Sequence, residues 1–145
     1  MLFELLDGNL YELLVANGYC GLKEDEVRIF AFQILNSLNF IHKEGVIHCD
    51  IKPENIVMRN WGKTGVKLID FGTSCFQGKQ VYDYLQSRYY RAPEVIFKNI
   101  YSHPIDMWSF ACVIAELKLG EPIFAASSNI EQLTYIANSI GLPSK

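Results

Sequence analysis

Three segments set the order of everything else in this chain: His48-Cys49-Asp50-Ile51-Lys52-Pro53-Glu54-Asn55, then Asp70-Phe71-Gly72, then Ala92-Pro93-Glu94. Each alone is a weak signal, since an Asp-x-Lys pair is ordinarily a solvated surface ion pair. It is the three together, in this order, that constrain the chain. The flanking sequence supplies regular elements. Leu22 to Glu44 reads as the best helix, because Val27, Phe30, Ile34, Leu38 and Ile41 recur at three- and four-residue steps. Glu24, Asp25 and Glu26 suit the positive end of its dipole, and Gly45 ends it.

The remaining elements follow from the same signals. Asn9 to Ala16 is a short helix with Gly18 beyond its end. Pro104 opens a second strong helix, Ile105 to about Leu119, closed by Gly120. Ser128-Asn129-Ile130-Glu131 is a capping box that opens a last helix to about Ser139. Between the strong helices the period changes. Val46-Ile47, Ile56-Val57-Met58 and Val66-Lys67-Leu68-Ile69 are strand-like, and the turn-rich Arg59 to Gly65 joins the last two as a hairpin. Residues 70–92 sustain no period and mix polar with aromatic groups, the pattern of a long functional loop. The expected fold is mainly α with short β hairpins, in one domain without repeats or linkers.

Composition narrows the function classes. Apolar residues make up 50% of the 145, enough for a sizeable core. A net charge of −3 offers no basic field, so neither nucleic acid nor an anionic membrane is an expected partner. The most apolar run, Phe110 to Ala115, is far short of the roughly 20 residues that span a bilayer, and no signal peptide is visible at the start. The chain reads as soluble. Cys20, Cys49, Cys75 and Cys112 have no paired metal-ligand spacing and read as reduced, mostly buried thiols of an intracellular protein, in cytoplasm or nucleus.

The three segments closely resemble the catalytic loop, metal-binding loop and activation-segment end of the eukaryotic protein kinase family, and the likeness covers nearly the whole chain. It implies the C-terminal, large lobe of a kinase: ATP-dependent phosphoryl transfer to protein substrates, with Mg2+. On this resemblance Asp50 accepts or aligns the proton of the incoming hydroxyl, and Lys52 places an ammonium on the transferring group. Asn55 and Asp70 are oxygen ligands for magnesium, with Gly72 allowing the turn that aims Asp70, and Glu54 is placed with them on the cofactor side. Phe3-Glu4-Leu5-Leu6 resembles the hinge between lobes, with Phe3 as gatekeeper and Glu4 and Leu6 beside the adenine. Taken alone, that stretch is equally an ordinary apolar strand end. His48 is expected to pack beneath the loop. Asp106, near Trp108 at the start of the central helix, is expected to hold the catalytic-loop backbone, although by itself it is a first-turn helix acid. His42 and His103 show no partner pattern.

Finer features bear on the subfamily. Lys52, two residues after Asp50, resembles serine/threonine-type kinases. Ser87, five residues before Ala92, sits where such kinases keep a hydroxyl that bonds the aspartate and lysine, though alone it reads as a loop serine. Cys49 stands where most kinases have an arginine that reads an activation-loop phosphate. His48-Cys49-Asp50, Ser74-Cys75, Tyr82-Asp83-Tyr84 and Gln86-Ser87-Arg88-Tyr89-Tyr90-Arg91 together resemble the dual-specificity tyrosine-regulated kinases, the DYRK family, with the homeodomain-interacting kinases as the nearest alternative. That resemblance implies autophosphorylation of Tyr84, with Arg88 and Arg91 as phosphate readers. The other reading makes Tyr82 and Tyr84 packing aromatics of an ordered loop. The same likeness brings Cys49 and Cys75 side by side, where they could oxidise to a disulfide.

Parts of the family's machine have no counterpart here. No Gly-x-Gly-x-x-Gly loop, strand lysine or partner helix glutamate is present, nor the last two large-lobe helices with the arginine that would pair with Glu94. Residues 1–145 are therefore expected to be a partial kinase domain, from hinge to the helix after the central one. Two functions remain as expectations: part of a DYRK-type kinase, or a truncated, non-catalytic binding or competitor module. An in-frame Gly-rich loop encoded upstream of Met1 would separate them.

Overall fold

The computed structural model describes residues 4–61, 63–79 and 84–141. Phe3, proposed as gatekeeper, and Tyr82 lie outside the described residues. Helices α1 (Leu10–Ala16), α2 (Glu24–Lys43), α3 (Pro93–Ile96), α4 (Pro104–Leu119) and α5 (Asn129–Ile140) surround two antiparallel strand pairs. Strand β2 (Ile56–Met58) pairs with β3 (Val66–Leu68), in register Val57 to Lys67, which is the expected hairpin. Strand β1 (Val46–Ile47) pairs with β4 (Cys75–Phe76), matching Ile47 with Cys75. The architecture is the expected one, mainly helical with short β pairs.

Helix α2 buries Val27, Phe30, Ile34 and Leu38 of the stripe read from the sequence, and its last member, Ile41, packs half-buried against the same core. They pack with Leu10 and Leu14 of α1, Ile56 and Met58 of β2, and Cys112, Val113 and Leu117 of α4. Burying a side chain such as Ile34, 0% exposed, stabilises the fold by about 1.5–3 kcal/mol, and Ile34→Ala would cost about 2–5 kcal/mol through the cavity it leaves in this seam. A second cluster, Ile47, Cys49, Leu85, Ala92, Val95, Tyr101 and Ile105, underlies the loop segments and shares Trp108 with the first. Helix α4 buries Ile105, Asp106, Ser109, Cys112, Val113, Glu116 and Leu117 along one face, polar groups among them, and is the post on which the loops are mounted.

The termini of the helices show where local signals held. Asn9 and Glu12 form a reciprocal capping box on α1, each bond 2.9 Å. On α5 only half of the expected box forms: Ser128 Oγ accepts from Glu131 N at 3.2 Å, but the Glu131 carboxylate reaches back to Ser127 instead. At Gly120, φ is +93° and a Cβ would overlap the Tyr19 carbonyl oxygen, so the close crossing of α4 by the 18–22 loop requires glycine. Residues 70–92 are more structured than their lack of period suggests. They contribute β4 and a single 3-10 turn at Arg88–Tyr90, and α3 follows directly. Such short pieces are stabilised by tertiary pairing and leave no periodic trace. Among the described residues no helix is long and apolar enough to cross a membrane.

Candidate active site

The loop that follows β1 is built around Asp106. This carboxylate, 0% exposed at the start of α4, accepts from Cys49 N at 2.9 Å, His48 N at 2.8 Å and His42 Nε2 at 2.8 Å. The family-based expectation that Asp106 holds the loop backbone thus has its bonds. His42 and His103 carry no partner pattern in the sequence, yet His42 bonds Asp106 and the His103 ring packs on that of His42 with centroids 4.5 Å apart. No sequence signal links residues so distant in the chain. Cys49 needs the support. Its φ is +68°, a left-handed conformation that a non-glycine residue adopts at a cost of about 1–2 kcal/mol.

His48 is fixed as a neutral imidazole. Its Nδ1 accepts from Asp50 N at 3.3 Å and its Nε2 donates to the Ile69 carbonyl at 3.0 Å, which selects one tautomer. Burial pushes it below the ordinary histidine value against the pull of nearby carboxylates. Its ring also meets Phe71, centroids 4.8 Å apart. His48 therefore couples the first segment to the second.

Next to it the charged groups converge. Asp50 Oδ2 lies 2.8 Å from Lys52 Nζ and accepts from Asn55 Nδ2 at 3.2 Å. Its Oδ1 accepts from Ser87 Oγ at 2.7 Å and Ser87 N at 3.1 Å. Lys52 also donates to Ser87 Oγ at 3.2 Å, so hydroxyl, carboxylate and ammonium close a ring. Burial acts to raise the Asp50 carboxyl, but the bonds from Lys52 and Ser87 outweigh it and hold the group below its usual value.

Asn55 spends its amide donors on Asp50, at 2.9 Å to the carbonyl and 3.2 Å to the carboxylate, which leaves its own side-chain oxygen for another partner. Ile69 N bonds to Asn55 O at 3.0 Å, so Asp70 follows immediately beside it. Asp70 is exposed and carries the positive φ itself, +62°, whereas Gly72 does not. The glycine contributes differently: its N–H donates to Asp70 Oδ1 at 3.2 Å, and a Cβ there would sit 3.1 Å from that oxygen. A carboxylate and an amide oxygen are both hard donors of the kind that Mg2+ takes. Among the described residues no group of three His, Cys, Asp or Glu could hold a metal ion.

Other expected positions fall elsewhere. A cleft of about 1000 Å³ is lined by Lys52, Glu54, Ser87, Arg88 and Glu116 among others, and by neither Asp50, Asn55 nor Asp70. Glu54 lines this cleft together with Lys52 and Ser87. Glu4 is exposed and ion-paired with Lys67, while Leu6 is half-buried on a segment tied to β2 through Asp7 N to Met58 O at 3.0 Å. Arg91 is not a free phosphate reader. It is buried, with Nε at 2.9 Å from Leu85 O, Nη2 at 2.7 Å from Gln86 O and Nη1 at 2.7 Å from Asn129 Oδ1. Tyr84, exposed, lays its ring over that guanidinium at 4.1 Å, and Arg91 first and Arg88 second hold the hydroxyl below its ordinary value. Arg88 has a buried Nε without a partner among the described residues, so it is the arginine with capacity to spare. Glu94 has no ion pair among the described residues. The sequence reading missed Gln86, buried at φ +65°, whose side chain bonds Ile105 O, Ser109 Oγ and Ala92 N at 2.9 Å each.

Comparison with known proteins agrees with this geometry. Residues 1–142 match the protein kinase domain. The chain is 48% identical over 143 residues to human dual specificity tyrosine-phosphorylation-regulated kinase 3, covering 99% of this chain and 24% of that protein. A putative homolog of the same kinase from Drosophila melanogaster is 47% identical over 143 residues, with 99% and 17% covered. Kinase mbk-2 of Caenorhabditis elegans is 47% identical over 141 residues, with 97% and 17% covered. The chain thus spans a quarter or less of these relatives' length. By its match over nearly all of its residues, the chain belongs to the protein kinase domain family, and within it resembles the dual-specificity tyrosine-regulated kinases.

Proposed function

We propose that this chain carries the phosphoryl-transfer centre of an ATP- and magnesium-dependent kinase acting on protein serine and threonine hydroxyls, with tyrosine autophosphorylation at Tyr84. The observation that carries this reading is the closed ring of Asp50, Lys52 and Ser87. Asp50 presents an ionised oxygen to an incoming hydroxyl, and its lowered pKa suits aligning that hydroxyl better than retaining its proton. Lys52 holds the carboxylate in place and offers an ammonium to developing phosphoryl charge. The Asn55 oxygen and the Asp70 carboxylate would hold magnesium, which supplies charge neutralisation at the phosphates. Four free cysteines suit a reducing, intracellular setting.

In the intact protein, Asp50→Asn should lower turnover on serine/threonine peptides by about 10²–10⁴-fold, the scale of losing a positioned acid–base group. Near-normal turnover would remove Asp50 from the chemistry. For the loop, Tyr84→Phe should depress activity more than Tyr82→Phe. Phosphate found only on Tyr82, with Tyr84→Phe fully active, would end that assignment. Arg88 rather than Arg91 is the expected first partner of a phosphate there, because Arg91 is committed to carbonyls.

A further inference from the structure

Asp106 grips the catalytic loop, and Asp106 is itself bonded by one imidazole, on which a second is stacked. His42, in the last turn of α2, bonds its Oδ2 at 2.8 Å. His103, immediately before α4, stacks on His42 with ring centroids 4.5 Å apart and planes 37° from parallel. Its Nε2 is buried and bonds nothing among the described residues. We propose that His103 is a positioning residue that makes the hold of Asp106 on the catalytic loop proton-sensitive, weakening it in mild acid. The inference rests on the catalytic reading of Asp50.

A neutral imidazole can leave one nitrogen as a bare acceptor, whereas an imidazolium must place two N–H donors and a charge. The titratable groups that act on His103 are His42 from α2 and Asp106 from its own helix. A charged His103 is repelled by any positive charge on His42, and its attraction is to Asp106. That carboxylate is already shared among His42 Nε2, His48 N and Cys49 N. Protonation therefore draws on the oxygens that keep Cys49 at φ +68°, one residue before Asp50. Burial first, then His42, holds His103 below the ordinary 6.5, against the raising effect of Asp106. The folded state thus binds this proton less readily than the unfolded chain. The contribution is present above about pH 6.5 and is lost as pH falls through the lowered value.

The test compares the intact protein with His103→Gln and with His103→Phe, which keeps a ring on His42 but cannot titrate. One readout is kcat/KM for peptide phosphorylation, each protein normalised to its own rate near pH 7.5. The other is hydrogen exchange at the His48 and Cys49 amides, corrected for the intrinsic pH dependence of exchange. By about pH 5.5 the unaltered protein should have lost about threefold more activity than either variant, the scale of a half-unit displacement. Its two loop amides should exchange about threefold faster than theirs. Superimposable exchange profiles overturn the proposal, whatever the rates do, because the effect then bypasses the loop. The expected exchange difference in proteins that phosphorylate nothing would support the proton-sensitive hold and overturn the catalytic reading instead.

Discussion

Asp106→Asn separates what holds this site from what would react in it. The aspartate oxygens accept three N–H bonds, from Cys49 N at 2.9 Å and from His48 N and His42 Nε2 at 2.8 Å each. Asparagine keeps the shape but turns one acceptor into a donor. With its amide nitrogen in the Oδ1 position only the Cys49 N–H faces a donor; in the other orientation both His48 and His42 do. The first arrangement costs less, so the damage should concentrate at Cys49. One orphaned buried N–H costs about 1–3 kcal/mol, and the two surviving bonds lose about 1 kcal/mol as they change from charge-assisted to neutral. The expected destabilisation is about 2–4 kcal/mol, a large share of the roughly 5–15 kcal/mol that holds a domain. Urea denaturation of the intact protein should show a lower midpoint with an unchanged slope. Hydrogen exchange should accelerate at Cys49 more than at His48. A shift under about 0.5 kcal/mol, or loss of protection at His48 with Cys49 spared, would refute the reasoning.

Two further outcomes follow from buried groups. Burial raises the Glu116 carboxyl to about 6 from 4.5 despite the 2.6 Å bond it accepts from the Tyr90 hydroxyl, so the folded state binds its proton more tightly than the unfolded chain. Its contribution, about 2 kcal/mol, is present below about pH 4.5 and lost as pH rises through 6; Glu116→Gln should flatten that part of the stability-versus-pH curve, and a pH-independent offset would contradict this. The Sγ atoms of Cys49 and Cys75 lie 3.8 Å apart, Cys49 buried with its thiol pushed up by burial first and Cys75 second, and Cys75 half-buried and so the more accessible to an oxidant. Mild peroxide should link the two with loss of two hydrogens by mass spectrometry, and recovery of both as free thiols would discard the link.

Much of the scaffold was legible in the residues. The apolar stripe of α2, the Asn9 and Ser128 helix starts, Pro104 and Gly120 around α4, and the β2–β3 hairpin all rest on interactions within a few residues, so local pattern suffices to locate them. The three motif segments likewise named Asp50, Lys52, Asn55 and Asp70, since chemistry restricts which side chains can stand there. Tertiary structure decided what those residues touch. Whether Arg91 reads a phosphate or braces the Leu85 and Gln86 carbonyls depends on a fold of the loop that has no period to betray it. The pairing of β1 with β4 joins strands of two residues each, too short to signal themselves. His42 became part of the site only because Asp106, 64 residues away, is carried to it by the packing of α4 on α2. Local free energies write periodic elements into the sequence; bonds between distant loops are chosen by the packed core, and no single stretch of residues records them.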